Sequence, residues 1–189
     1  MLAGNKALAW QGPVLIIDRK LGLARDLGWP IADRRHRVQD VMRGLPGGVC
    51  YVPHWEVKVA RAEVDLLIQQ AFSRAPWDPA LLVVVDEAWR VAYEGGPPGQ
   101  VHRLAWEGRA AGIQGLIISQ RPADVSKDVV TQCARQYIFA TSMEGPYFQR
   151  YGIDHAAVEA LLQQGGQYSY VVYESGVIQG PRKERPLTS

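Results

Sequence analysis

Cysteine is scarce: the 189-residue chain carries two, Cys50 and Cys133. Two thiols so far apart in sequence exclude a disulfide framework and read as buried thiols of a cytosolic protein. No apolar run approaches the ~18 residues that a membrane span needs, and the longest runs only from Ala80 to Val85. At the amino end, Gly4, Asn5, Lys6 and Gln11 interrupt any apolar core, so the segment does not read as a signal peptide. His36, His54, His102 and His155 show no metal-ligand spacing, and with two isolated cysteines a zinc site is not expected. There is no G-x-S-x-G elbow and no Ser/His/Asp pattern. Charge of one sign is also lacking: 21 basic against 19 acidic residues leave a net charge of +2. That sum neither requires nor excludes a nucleic-acid partner, because local patches decide.

What is present is ordinary globular composition, 47% hydrophobic and 21% charged, which excludes whole-chain disorder. The length fits one domain with a sizeable core, expected over residues 1–179 with a basic tail over 180–189. Strands are predicted at Val14–Asp18, Val49–Val52, Leu81–Val85, Leu116–Ile118, Tyr137–Ala140 and Tyr168–Tyr173. The last is expected to pair with Val177–Ile178 across Glu174-Ser175-Gly176. Between Glu56 and Arg74, Val57, Ala60, Val64, Leu67 and Ala71 step by three and four, which is one helical face. Further helices are predicted at Gln100–Ala111, Asp124–Ala134 and Asp154–Gln163, the last with Asp154 as N-cap. Strands alternating with helices give an α/β fold, a mostly parallel central sheet flanked by helices.

The stretch richest in chemistry is Leu81-Leu-Val-Val-Val-Asp86-Glu87. A continuous apolar strand ending in two carboxylates puts them at the carboxyl edge of a parallel sheet, where α/β folds bind ligands. It looks like a Walker B motif. A second stretch, Glu107-Gly-Arg109-Ala-Ala-Gly112 through Leu116-Ile-Ile-Ser119-Gln120-Arg121-Pro122-Ala-Asp124-Val-Ser126, ends another strand in a polar amide. Gln120 is thereby expected beside the carboxylates of the neighbouring strand.

These two runs together resemble the HerA/FtsK superfamily of P-loop ATPases, whose members carry a similar R-x-x-G … T-Q-R-P-x-D-V-S run. Ser119 stands where Thr is common. The first strand, ending in Asp18-Arg19-Lys20, is similar to a superfamily strand that ends in Asp-Pro-Lys, with Arg19 in place of Pro. A plain strand end or helix cap explains Asp18 equally well. The resemblance implies a RecA/FtsK-like core binding ATP and Mg²⁺: Asp86 would hold the metal through water, Glu87 would polarise the attacking water, and Gln120 would sense the γ-phosphate. It further implies a homo-oligomeric ring, such as a hexamer, moving double-stranded DNA. The superfamily includes DNA translocases, conjugation motors and viral genome-packaging ATPases, and phages with internal membranes encode short, single-domain members. Packaging is therefore the expected role, in the host cytoplasm or on the virion, with capsid-vertex or membrane-associated packaging proteins as partners.

One departure matters. The sequence has no G-x-x-x-x-G-K-[ST], the loop whose amides cradle phosphates, and Gly4-Asn5-Lys6-Ala7 keeps only a Gly and a Lys. The strand that would precede the loop is missing as well. Either an upstream start supplies both, with Leu2–Trp10 as the later part of the following helix, or the phosphate site is degenerate. The first is favoured because the distal motifs are intact. The second makes the chain a non-catalytic structural or regulatory ring subunit, and a third reading keeps the enzyme but assigns it to conjugation or DNA transfer.

Arginines complete the site expectation. Ring ATPases insert an arginine from one subunit into the next subunit's site, and Arg109, Arg121 and Arg135 are candidates against a solvated-surface alternative. Arg34, Arg35 and Arg37 in a loop, and Arg182, Lys183 and Arg185 near the carboxyl end, are candidates for DNA phosphate contacts, against the alternative of solvated charge runs.

Overall fold

A computed structural model describes residues 2–139, 145–167 and 169–183. Helix α1 (Leu2–Leu8) leads into strand β1 (Val14–Ile17), followed by α2 (Gly22–Leu27), β2 (Ile31–Asp33), α3 (Val38–Gly44) and β3 (Val49–Val52). Then come α4 (Val57–Ser73), β4 (Leu81–Val85), α5 (Gln100–Glu107), β5 (Ile113–Ile117) and α6 (Lys127–Gln132). The remainder is β6 (Arg135–Phe139), α7 (Gly145–Arg150), α8 (His155–Gly165), β7 (Ser169–Glu174) and β8 (Val177–Lys183).

Five strands form a parallel sheet in the order β2-β3-β1-β4-β5, and three form an antiparallel sheet in the order β6-β7-β8. The parallel sheet is sandwiched between two apolar layers. On one face Leu15, Ile17, Val83 and Val85 pack with Val64, Leu67 and Ile68 of α4 and with Leu104 of α5. On the other, Val14, Ile16, Leu82 and Val84 pack with Ala3 and Ala7 of α1 and Ala24 of α2. Strands covered on both faces need apolar residues at every position, which is why β1 and β4 read as unbroken apolar runs. A smaller core of Ile138, Phe148, Ile153, Val158 and Val171 unites the antiparallel sheet with α7 and α8.

The expected α/β fold with a parallel central sheet is therefore present. Several elements differ from expectation. The helix predicted over Gln100–Ala111 is α-helical only to Glu107 and closes as a 3-10 turn over Gly108–Ala111. Gly112 follows at φ 68, with a built Cβ only 2.5 Å from the Trp77 carbonyl oxygen, so the turn into β5 leaves no room for a side chain. β5 begins at Ile113 rather than Leu116. Gly180 to Lys183, expected in a tail, belong to β8, with Arg182 and Lys183 paired to Tyr170 and Ser169. Ala140, Tyr168, Arg185 and the remainder of the expected tail lie outside the described residues. Asp154 does cap α8, accepting the Ala157 backbone N–H at 3.1 Å. No described helix is long and apolar enough to cross a membrane.

Candidate nucleotide site at the carboxyl edge of the parallel sheet

The carboxyl ends of β1, β4 and β5 are tied together. The Asp86 amide donates to the Ile17 carbonyl, the Ile118 amide to Val85, and the Ala88 amide to Ile118, each at 2.9 Å. This registers Asp18, the Asp86-Glu87 pair, and Ser119-Gln120 along one edge. Asp18, Lys20, Asp86, Ser119 and Gln120 line a single cleft of about 1550 Å³.

The three carboxylates have different surroundings. Asp18 is buried and fully engaged: Oδ1 accepts the Lys20 amide at 2.9 Å, and Oδ2 accepts those of Leu23 at 2.7 Å and Ala24 at 3.4 Å. It thereby caps the first turn of α2, whose N-cap residue Leu21 offers no side-chain acceptor. The cap explanation of Asp18 describes its observed contacts.

Asp86 is half-buried. Burial, and then the nearby Asp18 and Glu87 carboxylates, push its carboxyl above the usual aspartate range, against the Glu87 amide and Lys20, which lower it. An acid so placed is short of positive charge. That suits one carboxylate contact to a hydrated Mg²⁺ whose other ligands are water and phosphate. No group of three or more His, Cys, Asp or Glu side chains able to hold a metal exists among the described residues, so these residues offer no closed cage.

Glu87 is buried and held at both oxygens: Lys20 Nζ donates to Oε1 at 2.6 Å, and the Trp89 indole N–H donates to Oε2 at 2.5 Å. Burial alone would raise its carboxyl, but those two hydrogen bonds and the charges of Lys20 and Arg90 carry it below the ordinary glutamate value. Its backbone lies in the left-handed region at φ 54, which costs a non-glycine residue roughly 1–2 kcal/mol. Strain of this kind persists where surrounding contacts over-determine the position, as they do here. The Trp89 ring is itself flanked by guanidinium groups, Arg90 at 4.5 Å and Arg121 at 5.1 Å from its centroid. A carboxylate so oriented can accept a proton once one of its two donors lets go.

Of the other expected site residues, Gln120 is exposed at the cleft rim, just after Ser119, whose hydroxyl accepts the Arg121 amide at 3.0 Å. Arg121 joins the cluster within one chain, through Trp89. Arg109 lines the same cleft but sits before β5, at the amino edge. Five strand residues at ~3.3 Å each separate it from Gln120 by roughly 15 Å, so it does not meet the carboxylates of its own chain. Arg135 is paired with Glu174 across β6 and β7 at 2.7 Å. The two basic groups are not brought together. Arg34, Arg35 and Arg37 follow β2, with Arg35 paired to Asp33, whereas Arg182 and Lys183 lie on β8, so they flank the outermost strands of different sheets. Sequence reasoning did not place Lys20 or Trp89 in the site. The only signal for Lys20 was its position two residues after Asp18.

Two acids thus follow β4 and a polar amide follows its neighbour β5, at the carboxyl edge of a parallel sheet. No protein-family model matches the chain, and no curated protein matches it. Solved structures do. The genome packaging NTPase B204 from Sulfolobus turreted icosahedral virus 2, in complex with ATP-γS, superposes with a TM-score of 0.74 at 14% identity, over 96% of this chain and 87% of that chain. Its complex with AMPPCP gives 0.68 at 15% identity, over 97% and 88%. B204, the DNA-packaging ATPase from Sulfolobus Turreted Icosahedral Virus, gives 0.58 at 17% identity, over 91% and 97%. At these identities the likeness is one of fold.

Proposed function

We propose that this chain is the motor subunit of an ATP-driven double-stranded DNA translocase, a viral genome-packaging ATPase working as a homo-oligomeric ring. The observation that carries the reading is the acidic edge itself: Asp86 lines one cleft with Lys20 and Gln120, and the adjacent Glu87 is held by Lys20 and Trp89. The fold shared with packaging NTPases, one of them in complex with ATP-γS, supports it. Bound Mg²⁺ would neutralise developing phosphate charge. Asp86 would hold that ion through water. Glu87 would take the proton of the attacking water after Lys20 or Trp89 releases one oxygen, and Gln120 would hydrogen-bond the γ-phosphate or the water. Arg121, stacked on Trp89, would keep the indole aimed at Glu87. Arg109, remote from its own chain's carboxylates, is the better candidate to act on a neighbouring subunit, and the exposed Arg34 and Arg37 to meet DNA phosphate.

The test is Mg²⁺-dependent ATP binding and turnover by the protein. Removing a general base costs about 10²–10⁴ in rate. Glu87→Gln is expected to keep ATP binding and lose turnover by at least about 10²-fold, and normal turnover in that variant would sink the assignment. The lack of G-x-x-x-x-G-K-[ST] in residues 1–189 favours a second reading, a non-catalytic ring subunit. Failure of the protein to bind nucleotide would select it.

A further inference from the structure

The cations that line the cleft are few, and most are engaged away from the acidic edge. Among the described residues they are Lys6, Lys20, Arg109 and Arg135. Lys6 donates to the Tyr137 hydroxyl at 3.1 Å and lies over that ring. Arg135 is paired with Glu174 at 2.7 Å. Arg109 precedes β5, at the amino edge of the sheet. Only Lys20 directly follows a strand of the parallel sheet at its carboxyl edge, where Asp18 and Asp86 line the same cleft. A phosphate chain laid beside those carboxylates is repelled by them unless a cation lies close by.

The pair that Lys20 makes with Glu87 is asymmetric. The lysine backbone is pinned, its amide donating to Asp18 Oδ1 at 2.9 Å. Its side chain is 57% exposed and carries the ammonium on a flexible four-carbon stem. Glu87 is 8% exposed, and its second oxygen is held by the Trp89 indole N–H at 2.5 Å. When the pair parts, the lysine is the member that moves.

We infer that Lys20 is a phosphate ligand that exchanges partners: the terminal phosphate of a nucleoside triphosphate draws its ammonium off Glu87 Oε1, and the oxygen so vacated takes the attacking water. The inference rests on the ATPase reading and adds which donor releases Glu87, and why. A terminal phosphate carries more negative charge than a carboxylate, so it competes for an exposed ammonium. The indole is neutral, and its ring is flanked by Arg90 and Arg121, so it stays. Water then donates to Oε1, which is not left unpaired, while Trp89 still fixes the other oxygen. A nucleoside diphosphate has no terminal phosphate to offer. With it the ammonium stays on Glu87 and the base is blocked, so the same exchange separates triphosphate from diphosphate.

The test is isothermal titration with ATP-γS and with ADP, each with Mg²⁺. In Lys20→Met the affinity for ATP-γS should fall about tenfold or more, the weight of one charge-assisted hydrogen bond. Affinity for ADP should change by less than about twofold, as for a screened charge at a distance. Lys20→Arg should restore most of the loss, because a guanidinium also binds phosphate. Glu87→Gln removes the competitor of the phosphate as well as a repelling charge, so ATP-γS should bind about two- to fivefold tighter. That gain should shrink when Lys20→Met is added, since only the repulsion then remains. Urea midpoints check that each variant is folded. A lysine that merely orients Glu87 would leave the ATP-γS affinity of Lys20→Met unchanged. That result, an equal loss for ADP, or a Glu87→Gln gain independent of Lys20 would each overturn the inference while the ATPase reading stands. A parent protein that binds neither nucleotide would overturn both.

Discussion

β4 and β5 lie side by side, have five residues each and pair one to one from Leu81–Ile113 to Val85–Ile117. Their surroundings differ. β4 has a strand on each side and a helical layer on each face, and all its residues are buried. β5 has the same layers but one neighbouring strand among the described residues, and within it only Ile113 is buried. Their compositions follow, Leu-Leu-Val-Val-Val against Ile-Gln-Gly-Leu-Ile. The comparison teaches that burial here is set by lateral neighbours as much as by the layers above and below. It also separates stability from chemistry: the saturated strand carries the acidic pair at its tip, and the half-paired one carries the polar amide.

The largest expected effect contrasts these strands directly. Leu81→Ala removes a fully buried side chain and should cost about 2–5 kcal/mol. Ile117→Ala, at a half-buried site beside the open edge, should cost about 1 kcal/mol. Urea midpoints at constant slope measure both. Equal costs would break the comparison.

The same contrast explains what was legible in the sequence. β4 and β3 were readable to the residue, and α4 to within one residue at each end, because a continuous apolar run and a three-four spacing are strong periodic signals. β5 was read three residues short, since Gln114 and Gly115 break its apolar run where it meets the open cleft. The stretch from Gly22 to Gly44 was not resolved into elements at all. The N-cap residue of α2, Leu21, has no side-chain acceptor, the helix being capped by Asp18 from before its start, and β2 is three residues long with Ile31 exposed. In the site, Asp86, Glu87 and Gln120 were legible as strand ends. Lys20 and Trp89 were not: Lys20 is 67 residues from Glu87, and nothing local announces so distant a contact.

The next effect compares two aspartates at the same sheet edge. Asp18→Asn replaces a carboxylate that accepts three amides by a group with one acceptor oxygen, and should cost about 1–3 kcal/mol. Asp86→Asn should have the opposite sign. The Asp86 carboxyl is raised in the folded protein, so the folded state holds its proton more tightly than the unfolded chain. Its ionised form is therefore a liability that is absent below the ordinary value of 3.8, grows as pH rises toward the folded value and is constant above it. Asp86→Asn should raise the urea midpoint at pH 7, and the gain should vanish below that ordinary value. A loss of stability at pH 7 in Asp86→Asn would show that the two aspartates are both structural, and the comparison would fail.

Lys20→Met gives the smallest effect and asks whether Lys20 acts by charge or by packing. Its side chain is 57% exposed while that of Glu87 is 8% exposed, so solvent screens the pair and the cost should be about 0.5–1 kcal/mol. Methionine keeps most of the apolar stem and removes only the ammonium. Glu87 lies below its ordinary value of 4.5 in the folded protein, with Lys20 the first of the groups that lower it. Its contribution is fully present above 4.5 and is lost as pH falls through the lower folded value. The gap in unfolding free energy between the parent protein and Lys20→Met should therefore be full at pH 7 and close as the solution is acidified below 4.5. A gap that stays constant with pH would mean that Lys20 supports the edge through its stem, and that Trp89 alone orients Glu87.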